Sequence, residues 1–284
     1  MSNSNFNFNF DIDMAWCPGC GNFPIRDMII EALNELNLDP TQVVFSSGIG
    51  QAAKMPQYID SNYFNGLHGR GLAVASAISA VNPELTVIAE GGDGDMYGEG
   101  GNHFIHNIRR NPNLLHIVHD NMVYGLTKGQ AAPTSPIGLV TPTQIDGVYN
   151  EPINPMALAL SLGATFVARG FSGDKQKTKE LIKQAIQHKG YAILDIFHPC
   201  VTYNKINTFA WFKRNTYWLD ETHEKSNIEA AFKLALNVEK LACGILYQTD
   251  TQKDYHARNP FYQGNLAPLY KRKRDLKKVQ QLLD

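Results

Sequence analysis

The apolar run Leu85-Thr-Val-Ile-Ala89 passes without a break into Glu90-Gly-Gly-Asp-Gly-Asp-Met-Tyr-Gly-Glu-Gly-Gly-Asn-His103, and no other stretch constrains the fold as much. A short apolar segment without polar alternation reads as a strand buried on both faces, which calls for a parallel sheet with helices on each side. The glycines that follow let backbone N–H groups approach an anion, and the carboxylates of Asp93 and Asp95 are hard oxygen donors suited to a divalent cation. The stretch therefore reads as a strand that delivers a phosphate and metal cradle.

The remaining pattern supports that architecture. Apolar residues at helical spacing predict a helix over 25–38, closed by Asp39-Pro40, and Val43-Val44-Phe45 reads as a buried strand leading into Ser46-Ser-Gly-Ile-Gly-Gln51. Helices are expected over 72–81, 99–110, 155–162, 175–189 and 226–240, and strands over 114–119, 165–168, 191–197 and 244–247. Strand–helix alternation of this kind implies an open, mostly parallel α/β sheet with helices on both faces. Residues 127–155, rich in Pro, Thr and Gly, carry little periodicity and read as a long functional loop. No internal repeat is found.

The strand at 114–119 should deliver Asp120-Asn121 to the same sheet edge as Gly92-Asp93-Gly94. The 28 residues from Asp93 to Asn121 leave room for a loop, a helix and a strand, as neighbouring parallel strands require. Asp93, the Asn121 side chain and a nearby carbonyl such as that of Val123 could then share one Mg²⁺ with a diphosphate. Taken alone, Gly-Asp-Gly also fits an ordinary glycine-rich turn.

Lys+Arg of 26 against Asp+Glu of 27 leaves a formal charge of −1, so no basic excess points to nucleic acid. No run approaches the ~20 apolar residues of a membrane helix, and the opening residues lack the charge and apolar core of a signal peptide. A cytoplasmic protein is expected, with residues 1–15 as a flexible arm or partner clip, a domain over 16–205 and a C-terminal extension over 206–284, packed on that domain or on a partner. The basic run Lys271–Lys278 reads as a solvated tail. Four cysteines are too few for a disulfide scaffold of this size, whereas Cys17-Pro-Gly-Cys20 suits a metal or redox pair.

Several ordered blocks resemble the β subunit of 2-oxoacid:ferredoxin oxidoreductases, over roughly residues 14–205. They are Trp16-Cys-Pro-Gly-Cys-Gly21, Ser47-Gly-Ile-Gly50, Leu67-His-Gly-Arg70, Gly92-Asp-Gly-Asp95, Gly100-Gly-Asn-His103, Asp120-Asn-Met-Val-Tyr-Gly-Leu-Thr-Lys-Gly-Gln130, Pro133-Thr-Ser-Pro136 and Pro199-Cys-Val-Thr-Tyr-Asn204. The resemblance implies thiamine diphosphate and Mg²⁺, with Asp93, Asn121 and the Val123 carbonyl on the metal. His68 and the backbone of Gly94 and Asp95 would contact the diphosphate, and Ile49 the cofactor's middle. Ser47, Gly48, Gly50, Gly92, Tyr124, Gly125, Leu126 and Thr127 fall in the same cofactor-binding blocks. Lys54, Leu126 and Lys128 match positions that recognise the 2-oxoacid. On its own, His68 fits a turn or capping role equally well.

The activity so implied is oxidative decarboxylation of a 2-oxoacid such as 2-oxoglutarate or pyruvate with coenzyme A, giving acyl-CoA and CO₂ and sending electrons through a [4Fe-4S] cluster to ferredoxin. Cys17, Cys20 and Cys200 match three of the family's four cluster cysteines, while Gln51 stands where the fourth is expected. That departure leaves a cluster with a non-cysteine ligand, another metal such as Zn²⁺, or vestigial or disulfide-bonded thiols. Cys243 lies outside those blocks and reads as a core residue. Alternatives are a cluster-less, non-oxidative 2-oxoacid decarboxylase subunit and a non-catalytic assembly or regulatory paralogue. The thiamine enzymes activate the aminopyrimidine with a carboxylate from a second α/β domain, for which this chain has no room. The resemblance thus implies an α-subunit partner, in a dimer of heterodimers with the active site at the interface.

Overall fold

The computed structural model describes residues 6–9, 11–273, 275–281 and 283, with Lys278 described in its backbone alone. Residues 1–5 and 10 of the expected arm, and Arg274 and the Lys278 side chain of the basic tail, lie outside the described residues.

The elements run α1 (Asn22–Glu35), β1 (Val43–Ser47), β2 (Asn62–Asn65), α2 (Gly71–Val81), β3 (Thr86–Gly92), α3 (Gly101–Arg110) and β4 (Leu114–Asp120). There follow α4 (Pro155–Ser161), β5 (Phe166–Phe171), α5 (Lys175–Gln187), β6 (Tyr191–Phe197), α6 (Phe209–Asn215), β7 (Thr216–Trp218), α7 (Ile228–Leu236), β8 (Leu241–Gln248) and α8 (Tyr255–Arg258). The strands form one eight-stranded sheet ordered β2-β1-β3-β4-β6-β5-β8-β7, in which only the β5–β8 pair is antiparallel. β4 and β6 are buried along their whole length, which is why their sequences show no polar alternation.

Two apolar layers sandwich the sheet. On one face α1 and α5 bury Ile25, Ile29, Leu33, Leu181 and Ile182 against Phe45, Ile88, Ile117 and Leu194. On the other, α2, α3, α4 and α7 bury Leu72, Phe104, Met156 and Ala231 against Val87, Val118, Val167 and Ile193. α1 stops three residues before the expected end because Asn37 turns left-handed, at φ 51°. A wide helical turn over Gly94–Glu99, of π type, precedes α3.

Two segments pack differently from their sequence appearance. Within the expected arm, Phe6 is 1% exposed in the α1 layer and its N–H donates to Asn34 Oδ1 at 2.8 Å, while Phe8 bridges to Ile59. Burying that aromatic ring outweighs the polar composition around it. Within 206–284, β7 and β8 extend the sheet itself, and the chain beyond returns to α2, where His256 Nε2 lies 2.9 Å from the Ser79 carbonyl and Tyr262 donates to the Ala80 carbonyl.

Leu33 is fully buried between α1 and α5, so Leu33→Ala should cost about 2–5 kcal/mol through lost transfer energy and a residual cavity. Urea unfolding measures this, and a loss under about 0.5 kcal/mol, the size of a surface substitution, would contradict the packing described.

Candidate active site

The parallel pairing aligns β1, β3, β4 and β6 in register, Ser47 beside Glu90, Gly92 beside His119, and Asp120 beside Phe197, so their carboxyl ends open on one edge. A cavity of about 290 Å³ lies there. Ile49, Gly50, Gln51, His68, Gly92, Asp93, Gly94, Asp95, Asn121, Val123, Tyr124, Gly125, Leu126, Thr127 and Lys128 line it, as do Cys17, Cys20 and Cys200.

Three expected site residues do not line it. Ser47 is fully buried, its Oγ accepting from Asn65 Nδ2 at 2.9 Å. Gly48 leaves space for Asp95 instead, since a Cβ there would collide with the Asp95 carboxylate. Lys54 is half-buried in the short 3-10 helix Ala52–Tyr58, away from the lining.

Asp93 directly follows β3 and is nearly inaccessible to solvent, with one carboxylate oxygen accepting from Thr134 Oγ1 at 2.5 Å. The same hydroxyl lies 3.1 Å from Asp120 Oδ1. Asp195 on β6 completes a buried acidic group, accepting from Tyr97 Oη at 2.7 Å. Burial pushes the Asp93 carboxyl up to about 7, with the Thr134 bond opposing it and the Asp195 charge adding to it. Asp195 is raised to about 6, chiefly by burial with Arg169 opposing, and Asp120 is raised further by burial and its acidic neighbours.

Asp95, expected beside Asp93 as a hard ligand, turns elsewhere. Its Oδ1 accepts from the backbone N–H of Gly69 at 2.7 Å and of Ile49 at 3.2 Å, and stands 3.3 Å from His68 Nδ1. The carboxylate therefore ties three loops together. Those two N–H groups would otherwise be orphaned at loop starts, which explains why a strand-end Asp turns inwards here. His68 Nδ1 also lies 2.9 Å from Glu99 Oε2, and Tyr124 Oη donates to that oxygen at 3.2 Å and to the Gly94 carbonyl at 3.1 Å. With Nδ1 facing the two carboxylates, His68 has Nε2 left for a ligand.

After β4, the N–H of Met122 donates to Asp120 Oδ1 at 3.2 Å and that of Val123 to Asn121 Oδ1 at 3.1 Å. These two Asx turns hold Met122 at φ 59°, a conformation costing about 1–3 kcal/mol for a non-glycine residue. The strain turns the chain sharply at the cavity. The Asn121 amide oxygen keeps a second lone pair for a cation.

Cys17-Pro18-Gly19-Cys20 is a tight turn, the Cys20 N–H donating to the Cys17 carbonyl at 3.0 Å, with φ +80° at Gly19 as a type II turn demands. It packs against the loop after β6, where the Tyr203 N–H donates to Cys200 Sγ at 3.4 Å. The thiols are free, and burial pushes Cys20 up to about 11, with the nearby charges of Cys200 and Cys17 adding to the shift. Among the described residues no three His, Cys, Asp or Glu side chains converge on a single metal ion. That arrangement does not suit mononuclear Zn²⁺ on the three thiols. A cation held by one Asp, one Asn and a carbonyl uses a different donor set.

Beneath the cavity lies a buried pair not anticipated from sequence. Glu90 and His119 are fully buried, with Nε2 and Oε1 3.0 Å apart. His119 Nδ1 faces Asn22 Oδ1 at 2.9 Å and so carries its proton there, leaving Nε2 as an acceptor. Burial raises the Glu90 carboxyl well above its usual range and lowers His119 to about 3, so it disfavours charge on either group. The signal was present: Glu and His inside apolar strands are out of place unless paired. Thr134 and Glu99 carried weaker signals, the first inside a loop without periodicity and the second after a glycine.

Residues 43–196 match the family described as thiamine pyrophosphate enzyme, C-terminal TPP binding domain, and residues 200–264 match the family described as the C terminal of the pyruvate ferredoxin oxidoreductase beta subunit. The chain is 41% identical to the β subunit of 2-oxoacid:ferredoxin oxidoreductase 2 of Aeropyrum pernix, over 86% of this chain and 82% of that protein. It is 44% identical to the 2-oxoacid:ferredoxin oxidoreductase β subunit of Saccharolobus solfataricus, over 86% and 84%. Among solved structures, 2-oxoglutarate:ferredoxin oxidoreductase of Magnetococcus marinus, with 2-oxoglutarate, coenzyme A and succinyl-CoA bound, superposes with a TM-score of 0.90. That chain is 36% identical, and the match covers 98% of this chain and 94% of that one.

The raised Asp93 carboxyl has a measurable sign. An unfolded chain releases this proton near 3.8 and the folded chain only near 7, so between those values folding binds protons and stability falls as pH rises. In metal-free protein, Asp93→Asn should therefore be more stable than wild type at pH ~7.5, by on the order of a few kcal/mol, with the gap closing towards pH ~4. Thermal midpoints across pH measure it; a gap that widens in acid would contradict the assignment.

Proposed function

The chain belongs to the β subunits of the 2-oxoacid:ferredoxin oxidoreductases, and on that premise we propose that its cavity holds the diphosphate end of thiamine diphosphate on Mg²⁺. The observation that carries the reading is the delivery of Asp93 and Asn121 from adjacent parallel strands onto one cavity. Asp93, the Asn121 side chain and the Val123 carbonyl are the Mg²⁺ ligands. The donor set fits. A buried carboxylate raised to about 7 is stabilised by an adjacent divalent cation, and amide and peptide oxygens complete a hard site.

His68 and the backbone N–H groups of Gly94 and Asp95 bind the diphosphate. Glu99 and Asp95 fix the His68 ring, and Tyr124 closes over the Gly94 carbonyl. Ile49, 38% exposed at the cavity, supports the cofactor's middle, and Gly50, Gly92, Gly125 and Thr127 shape the wall. Lys128, beside Leu126, presents a cation to the substrate carboxylate. Lys54 lies outside the lining of this chain's cavity. When bound, thiamine diphosphate supplies the carbon nucleophile and electron sink for decarboxylation.

The substrate class is a 2-oxoacid, with 2-oxoglutarate favoured because the Magnetococcus marinus enzyme binds it together with coenzyme A and succinyl-CoA. Cys17, Cys20 and Cys200 hold an iron–sulfur cluster that passes electrons to ferredoxin. The three thiols line the same cavity as the cofactor site. The cavity is covered by an α subunit, which completes the active site in a dimer of heterodimers. Among the described residues no helix is long and apolar enough to cross a membrane.

The test uses the assembled αβ complex. It should bind thiamine diphosphate and Mg²⁺ in equal amounts and reduce ferredoxin with 2-oxoglutarate and coenzyme A. Asp93→Ala should weaken cofactor binding by at least tenfold, about 1.4 kcal/mol. A complex that binds no thiamine diphosphate would overturn the reading.

A further inference from the structure

We propose that Gln51 supplies the fourth ligand of the cluster held by Cys17, Cys20 and Cys200, through its side-chain Oε1. The inference rests on the cluster reading above and goes beyond it by naming the ligand and its consequence. One iron is then held by a neutral oxygen donor and is exchangeable, whereas the other three are held by thiolates.

Gln51 lines the same cavity wall as the three cysteines. Its position is fixed through the backbone. Trp16 Nε1, one residue before Cys17, donates to the Gln51 carbonyl at 2.7 Å, and the Trp16 ring is itself wedged edge-on against Phe23 and Tyr58, at centroid distances of 5.2 and 4.8 Å. Trp16 thus links the start of the cysteine turn to residue 51. After Gly50, at φ +134°, Gln51 stands as the N-cap of the short helix Ala52–Tyr58.

The Gln51 Oε1 atom is buried and has no hydrogen-bond partner. Leaving a buried amide oxygen unpaired costs about 1–3 kcal/mol, so native structures pair such atoms. A cluster iron at the corner not served by a cysteine meets that need. The other cysteine cannot: Cys243 is fully buried among Phe171, Phe197 and Phe212 and does not line the cavity. Among nitrogen donors, Asn22 and His119 engage each other. His198 sits two residues before Cys200, but it is fully buried under Gly21, outside the lining. It is the competing ligand, and the experiment separates the two.

Iron–sulfur clusters ordinarily take thiolates, and replacing one of them alters potential and stability. A neutral amide oxygen binds iron more weakly than a thiolate. Mild oxidation should then release that corner, [4Fe-4S]²⁺ giving [3Fe-4S]⁺, Fe²⁺ and one electron, which ferricyanide accepts.

The αβ complex, purified without oxygen and loaded with ⁵⁷Fe, should show one iron distinct from the other three by Mössbauer spectroscopy. Stoichiometric ferricyanide should produce the paramagnetic three-iron cluster, detected by electron paramagnetic resonance, with loss of one quarter of the iron. Gln51→Cys should make the four irons alike and suppress the three-iron signal, and Gln51→Ala should be isolated largely in the three-iron form. His198→Gln should leave the wild-type signature in place. If Gln51→Ala and Gln51→Cys both match wild type in iron content and spectra, or if His198→Gln alone removes the distinct iron, the assignment is overturned. Wild type without iron or sulfide overturns it together with the cluster reading. Bound thiamine diphosphate, measured in the same samples, tests the cofactor site independently.

Discussion

Everything at the cavity depends on the parallel register of four strands. Backbone pairing places Ser47, Gly92, Asp120 and Phe197 at one edge of the sheet, so four loops far apart in sequence meet without tertiary adjustment. The two helical layers hold that register, because a slip by one residue would exchange the faces that bury Ile88 and Val87. Chemistry at the edge therefore inherits its precision from the core.

The same edge stores unfavourable electrostatics. Asp93 and Asp120 are joined by Thr134, Asp195 lies buried near them and accepts from Tyr97, and Glu90 faces His119. Desolvation alone would neutralise these carboxyls, as their raised proton affinities indicate. A chain selected only for stability would replace them with apolar residues. Their presence beside strained Met122 fits an edge shaped for a ligand, where the proposed divalent cation would recover part of what folding leaves unmet.

How much of this was legible follows from the physics of each signal. Apolar runs without alternation located the strands from 43–45 to 191–197, because burial on both faces leaves an unmistakable pattern. β2 was missed because Asn62-Tyr-Phe-Asn65 is an exposed edge strand with no apolar signature. β7 is three residues long and carried none either. At the site, residue types and spacing placed Asp93 and Asn121 together, but could not tell which way a carboxylate points. Asp95 turned to Gly69 and Ile49, and Gly48 made room for it, both long-range facts. Lys54 fell outside the lining because the chain after Gly50 curls into a short helix that sequence periodicity did not announce.

The surface around the cavity bears on what completes it. The loop from Thr127 to Asn154 contains no helix or strand, yet buries Thr134, Ser135, Leu139 and Val148, so it is ordered by the chain it crosses. Its other residues include Ile137, Val140, Ile145 and Tyr149, at 54%, 62%, 75% and 84% exposure. Single exposed apolar side chains need no explanation, but four on one ordered loop that also anchors Asp93 through Thr134 form a surface suited to burial. A partner seated there would press on the segment that positions the proposed metal ligand. Assembly and cofactor binding would then stabilise the same loop, each reducing the ordering cost of the other.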